Sequence, residues 1–219
     1  MQNPFDWLWS IIFPVSCFGC GTRKSALCQQ CINRIPFALT PENKNVFAVY
    51  DYSNRIVEKV IHDLKYHHRK EAAISLARSS IPHILEYISS MIQTVSPENI
   101  YLVPIPQHKS KTRKRGYNQS ELLARTILEG FDGAKICRLL QKHRLTTPQA
   151  HIRNKNIRLQ NLKGSMSISK TIDKNALYII VDDVTSTVAT FIEAERASRI
   201  AGAKKILSVA LAHGYARKK

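Results

Sequence analysis

The stretch Leu177-Tyr-Ile-Ile-Val-Asp-Asp-Val-Thr-Ser-Thr-Val-Ala-Thr190 decides how this chain is read. Ala176 to Val181 is a continuous apolar run, the pattern of a strand buried on both faces. Two acids close it, a short hydroxyl-rich loop follows, and a helix begins near Val188. In open α/β sheets, ligands bind at the carboxyl ends of the strands. A loop that runs into a helix N-terminus presents free N–H groups and the positive end of the dipole, which suits a phosphate. Thr185, Ser186, Thr187 and Thr190 add hydroxyl donors. Asp182 and Asp183 stand where sugar hydroxyls, or a magnesium ion with its waters, would be met. Paired acids at such a junction also serve simply to cap the next helix, so the motif alone leaves both readings open.

Outward from this stretch, strand and helix patterns alternate. Val46 to Tyr50 reads as a strand. Ser53 is placed to cap a helix whose residues Ile56, Val57, Val60, Ile61 and Leu64 share one face. A second helix is expected from about Lys70 to Ile92, then a strand from Ile100 to Ile105 and a basic loop. Asn118-Gln-Ser-Glu121 has the form of a capping box that opens another helix. Ile136 to Leu140 reads as a strand, and residues 142–165 as a long polar, basic surface loop with some helix. A helix from Val188 to Ile200, stopped at Gly202, and a strand from Ile206 to Leu211 complete the chain. This alternation predicts an α/β fold with a mainly parallel sheet covered by helices on both faces.

At 219 residues the chain suits one α/β domain with a small appendage, or two small domains. Its net charge is +17, with 33 Lys and Arg against 16 Asp and Glu. Such an excess favours anionic partners: nucleic acid, nucleotides, phosphates or an acidic membrane surface. It is also compatible with the background charge of a basic proteome. The longest apolar stretch, Trp7 to Val15, is interrupted by Ser10 and Pro14 and falls short of the roughly 20 residues a membrane span needs. It has neither a basic leading segment nor a small-residue cleavage site, so it is not read as a signal peptide. The expected compartment is the cytoplasm, with this stretch as an apolar arm docked on the main domain or on a partner.

The cysteines are the sharpest local signal. Four of five lie between Cys17 and Cys31, as Cys17-Phe-Gly-Cys20 and Cys28-Gln-Gln-Cys31. Each C-x-x-C sets two sulfurs toward one point, and Gly19 and Gly21 allow the positive backbone angles of such a knuckle. Two knuckles supply four thiolates for tetrahedral zinc. A redox pair and a disulfide staple are the rival readings, disfavoured in a reducing compartment. The closed four-cysteine set points to a structural ion, although such knuckles also bind nucleic acid. Cys137 stands alone in an apolar stretch and reads as a buried core thiol.

The acid-pair segment is similar to the phosphoribosyl-pyrophosphate (PRPP) loop of type I phosphoribosyltransferases. Nearly the whole chain resembles the ComF family, the competence branch of that fold. The resemblance rests on the four-cysteine knuckle, on Tyr52 with Ile61-His-Asp-Leu-Lys-Tyr66, and on Val103-Pro-Ile-Pro106 with Arg115-Gly-Tyr-Asn-Gln119. Arg144-Leu-Thr-Thr-Pro-Gln149 with Arg158 and Asn161, and finally the acid-pair loop, complete it in order. It implies residues 1–40 as arm and zinc knuckle and 41–219 as a phosphoribosyltransferase-like domain. It further implies Asp182 and Asp183 on the ribose hydroxyls of a PRPP-like ligand, with the loop Thr185-Ser186-Thr187-Val188-Ala189-Thr190 around its 5′-phosphate. Lys65 at a helix end would reach a phosphate, unless it is a plain solvated lysine. The run Lys109, Lys111, Arg113, Lys114 and Arg115 suits pyrophosphate or a nucleic-acid backbone, or is simply a solvated charged face. Arg144, Thr147, Gln149, Arg158 and Asn161 would form a hood over the site.

This chain departs from the family's pattern at one position. Val188 stands where the phosphate loop normally has glycine, whose backbone reaches angles closed to a β-branched residue. Two classes of function follow. In one, the fold is a binding module in DNA uptake during natural transformation, touching single-stranded DNA or a helicase-like competence partner. In the other, it is a magnesium-dependent enzyme that transfers a phosphoribosyl group from PRPP. The charge, the lost glycine and the lack of a legible acceptor-base pocket favour the first, while the 8% aromatic share offers no evident stacking platform.

Overall fold

A computed structural model describes residues 15–23, 25–39, 43, 45–67, 69–92, 99–143, 162–168 and 170–214. Most of the apolar arm, Lys24, and the hood residues Arg144, Thr147, Gln149, Arg158 and Asn161 lie outside them.

Long apolar strands stack in parallel at the centre. The sheet runs in the order β1 (Val46–Asp51), β7 (Lys205–His213), β6 (Leu177–Thr185), β2 (Ile100–Pro104) and β3 (Lys135–Ile136). Every neighbouring pair in it is parallel. A second, antiparallel pair joins β4 (Leu140–Lys142) to β5 (Met166–Ile168). Parallel connections need crossovers, and helices supply them. They are α2 (Arg55–Tyr66), α3 (Glu71–Met91), α4 (Lys109–Arg115), α5 (Gln119–Leu128) and α6 (Ala189–Ile200), with the short α1 (Gln29–Ile32) in the cysteine segment.

The two faces of β6 account for its unbroken apolar run. Leu177, Ile179 and Val181 pack with Val57, Ile61, Leu76 and Leu123 on one face. Tyr178 and Ile180 pack with Phe191, Ala194 and Met166 on the other. The expected mainly parallel sheet, flanked by helices, is therefore the fold. On the second face Glu193, 3% exposed, accepts from the Met166 N–H at 3.1 Å and pairs with Arg196, tying β5 to α6. The outer edge of β1 is covered by the segment after the cysteines, through Ala38 N–H to the Val49 carbonyl and Asp51 N–H to the Pro36 carbonyl, both close to 3 Å.

Five expectations need correction. Asn54, not Ser53, caps α2: its side-chain oxygen accepts from Ile56 N–H, while Ser53 N–H is turned to the Asp51 carboxylate. The basic segment after β2 is the helix α4, closed by Gly116 at φ 74°. Ile136 to Leu140 is not one strand, because the chain leaves the parallel sheet after Ile136 and enters the antiparallel pair at Leu140. Strand β6 continues through both acids to Thr185, held by pairing with β7 as far as Thr185 opposite His213. Cys137 is only half-buried, against the second core face. No helix among the described residues is long and apolar enough to cross a membrane.

Candidate phosphate site and cysteine knuckle

Parallel pairing brings the carboxyl ends of β6, β7 and β2 to one edge, and the acid pair lies there. Asp183, 7% exposed, pairs with Lys65 from the last turn of α2 at 2.8 Å. Asp182 accepts a 2.8 Å hydrogen bond from the Ser120 hydroxyl in the first turn of α5, and another from the Asp183 N–H. Burial, and then the charge of Asp183, push the Asp182 carboxyl up to about 7 against the pull of Ser120 and Lys65. Burial lowers the Lys65 ammonium, but the Asp183 charge beside it outweighs this, so the net shift is upward. Tyr52 joins this cluster: its phenol is raised by burial while the Lys65 charge pulls it down.

Three residues of Arg115-Gly-Tyr-Asn-Gln119 have a positional task. Gly116 turns the chain out of α4 in the left-handed region. Tyr117 donates to the Leu64 carbonyl at 2.5 Å, fixing the end of α2 beside Lys65. Asn118 caps α5 by accepting from Ser120 N–H and donates to the Ile105 carbonyl at 2.9 Å. The expected capping box is half formed, since Glu121 pairs with Arg125 and Arg138 instead. Gln119 is fully buried.

A basic cavity of 240 Å³ adjoins the acids, lined by Lys65, Tyr66, Lys111, Lys114 and Arg115. The Arg115 guanidinium lies over the exposed Tyr66 ring, 5.5 Å from its centre. The Lys111 ammonium is lowered by burial and then by the positive charges of Arg115 and Lys65. Lys142 on β4 is lowered by burial and by Lys111. Like charges held this close, and partly out of water, form a surface that an anion would relieve. Arg113 is exposed and is not among the residues lining the cavity. Tyr66, Ser120 and Lys142 were not marked as site residues by the sequence. Tyr66 adjoins the lysine that was, Ser120 sits inside a quoted motif, and Lys142 carries no local signal.

The segment from Thr185 leads out of β6 into the N-terminus of α6. Thr185 is buried and its carbonyl accepts from Gly214 N–H at 2.8 Å. Ser186 and Thr187 are partly exposed, Ala189 is buried, and Thr190 lies in the first turn of α6. Val188 adopts φ 50°, ψ 4°, the one positive-φ residue other than glycine among those described. The turn thus lies in the left-handed region that favours glycine, with a β-branched side chain in it, at a cost of about 1–3 kcal/mol.

At the other end of the chain, the sulfurs of Cys17, Cys20, Cys28 and Cys31 all lie within 4.8 Å of one another. Cys17 to Cys28 is 3.6 Å and Cys20 to Cys28 is 3.7 Å. Four bonds of ~2.3 Å in a tetrahedron set sulfurs roughly 3.8 Å apart, so the donor set fits a divalent metal such as zinc. Burial raises the Cys17 thiol, but N–H groups of Cys20, Cys28 and Gly19 outweigh it and bring the thiol down to about 6. Burial and the other three sulfurs push Cys31 up to about 12. Four clustered sulfurs resist joint ionisation, and a dication removes that resistance. Gly21 has the expected positive φ of 77°, whereas Gly19 is glycine for space: a Cβ there would stand 2.5 Å from Cys31 Sγ and 3.0 Å from Ile56 Cδ1.

Two measurements test this geometry. Gly19→Ala displaces Cys31 and should weaken metal binding by about 10-fold or more, read by competition with a chromophoric chelator. For Asp182, an unfolded carboxyl near 3.9 against about 7 when folded means stability that is full below pH ~4 and is lost as pH rises toward 7. Urea unfolding of Asp182→Asn should lack that loss, so that the variant gains stability relative to wild type as pH rises from about 4 to about 8; parallel pH profiles would contradict the assignment.

No protein-family profile matches the chain. It is 27% identical over 180 residues to the "DNA utilization protein YhgH" of Salmonella typhi, covering 81% of this chain and 74% of that protein. The protein of the same name from Escherichia coli (strain K12) matches to the same extent. "Competence protein F" of Haemophilus influenzae is 29% identical over 107 residues, 48% of this chain and 46% of that protein. The chain is thus a homologue of proteins named for DNA utilization and competence, in line with its resemblance to the ComF family.

Proposed function

We propose that this protein acts in DNA uptake or utilization as a phosphoribosyltransferase-like module that binds single-stranded DNA, with a helicase-like protein as a partner. The observation that carries this reading is the basic cavity of Lys65, Lys111, Lys114 and Arg115 beside the acid pair. Phosphates of a strand would lie along the cations, with the exposed Tyr66 ring and the Arg115 guanidinium over it at the side of the cavity. The names of the homologues support the same reading. Residues 1–40 would then form a zinc-stabilised arm and knuckle, and 41–219 the ligand-binding domain, with zinc structural.

The alternative is a magnesium-dependent phosphoribosyltransferase using PRPP. The retained left-handed turn at Val188, leading into the N-terminus of α6, favours it. In that reading Asp182 and Asp183 meet the ribose hydroxyls and Thr185 to Thr190 hold the 5′-phosphate. With Lys65 already on Asp183, the acids suit hydroxyls better than a directly bound cation, and magnesium would ride on the pyrophosphate.

Oligonucleotide binding at several salt concentrations tests the first reading. Four phosphate contacts give a slope of log K against log salt of about −3, and the double variant Lys111→Glu/Arg115→Glu should roughly halve it. A slope near zero, or one unchanged in the variant, would contradict it. For the second, calorimetry with PRPP and magnesium should show tighter binding in Val188→Gly, where strain and a Cβ are both removed; equal affinities would sink that reading.

A further inference from the structure

We propose that the last turn of α2 carries a second metal site, in which His62, Asp63 and His67 ligate a divalent first-row cation of the imidazole-preferring class. One ligand atom from each of the three lies within 4.8 Å of the others. Asp63 and His67 are four apart at the helix end, a spacing that stacks side chains on one face. His62 folds toward them, its ring 5.3 Å from that of His67 and its Nδ1 3.8 Å from the Asp63 carboxylate. Two imidazoles and a carboxylate suit zinc, nickel, copper or iron, and three protein ligands leave positions open for water or a ligand.

The chemistry of Asp63 is the strongest sign. It is 6% exposed, yet its ion-pair partners among the described residues, His62 and Arg69, stand at 3.8 and 3.6 Å, beyond good hydrogen-bond length. A carboxylate so little exposed, with one arginine and one imidazole nitrogen both beyond good hydrogen-bond length, has room beside it for a metal dication. Both histidine rings are exposed. Two ligand atoms on one ion of this size sit roughly 3.0–3.4 Å apart, so binding would draw the three groups together from their present spacing. Arg69 would be repelled outward. The site is separate from the cysteine knuckle, and Tyr66, which lines the basic cavity, packs on the His62 ring at 4.8 Å. An ion here would add positive charge beside the proposed anion surface.

The test uses the full chain with its knuckle zinc-loaded, titrated with nickel chloride by calorimetry while released zinc is followed with a chelating dye. We expect one equivalent of nickel bound without zinc release, and affinity lowered by about tenfold or more in His62→Ala and in His67→Ala. Because both rings are exposed, these variants keep the wild-type melting temperature. Arg69→Gln, which removes the competing cation, should tighten nickel binding, an effect that casual attachment to surface histidines would not show. The proposal is overturned by non-saturable binding, by unchanged affinity in either histidine variant, by weaker binding in Arg69→Gln, or by zinc release that matches nickel uptake.

Discussion

The ion pair between Lys65 and Asp183, 2.8 Å across the carboxyl edge of the sheet, is the interaction on which the candidate site depends. It fastens the end of α2 to the end of β6, two elements more than a hundred residues apart in the chain. Removal of either partner would leave the other charge buried and uncompensated, which is far costlier than the pair itself is stabilising. The pair also sets the field of the site. With Asp183 engaged, Asp182 is held up by burial and by its charged neighbour, and Lys111 and Lys142 are pressed down by burial and by the surrounding cations. The edge is left with an excess of positive charge on the side of α4.

The cysteine knuckle belongs to the same construction. Cys17, Leu27, Cys31, Ile32 and Ile35 share a core with Val57 and Ile61 of α2. Gly19 meets Ile56 at the start of that helix, and Lys59 lies over the Phe18 ring. At its other end α2 carries Lys65, pinned by the Tyr117 hydroxyl on the Leu64 carbonyl. One helix is thus braced by the knuckle at its beginning and by the Arg115-Gly-Tyr-Asn-Gln119 segment at its end. The segments that carry the family resemblance hold the lysine in place as much as they offer groups to a ligand.

Much of this was legible in the sequence because it is periodic or spaced. The apolar run into Asp182 and Asp183 marked the central strand, and two C-x-x-C pairs marked the knuckle. What was not legible depended on pairing across distance. Lys109 to Arg115 contains no apolar residue to reveal a helical face, so α4 read as a loop. Backbone pairing with β7 carries β6 past its polar residues, where composition alone suggested an end. The space below Gly19 is made by Cys31 and Ile56, and nothing local distinguishes that need from a need for positive φ. Lys142 joins the cations through a short antiparallel strand with no signal of its own. At Val188 the sequence marked a β-branched residue where the resemblance expects glycine, and the structure gives that residue a left-handed backbone angle.

We propose that one anion-binding surface, framed by Lys65 and α4, is the working part of the molecule. Its most direct test is displacement of a labelled single-stranded oligonucleotide by pyrophosphate at fixed ionic strength, followed by fluorescence anisotropy. Pyrophosphate should release the strand in a saturable, competitive manner. Binding of the two without mutual effect would contradict it.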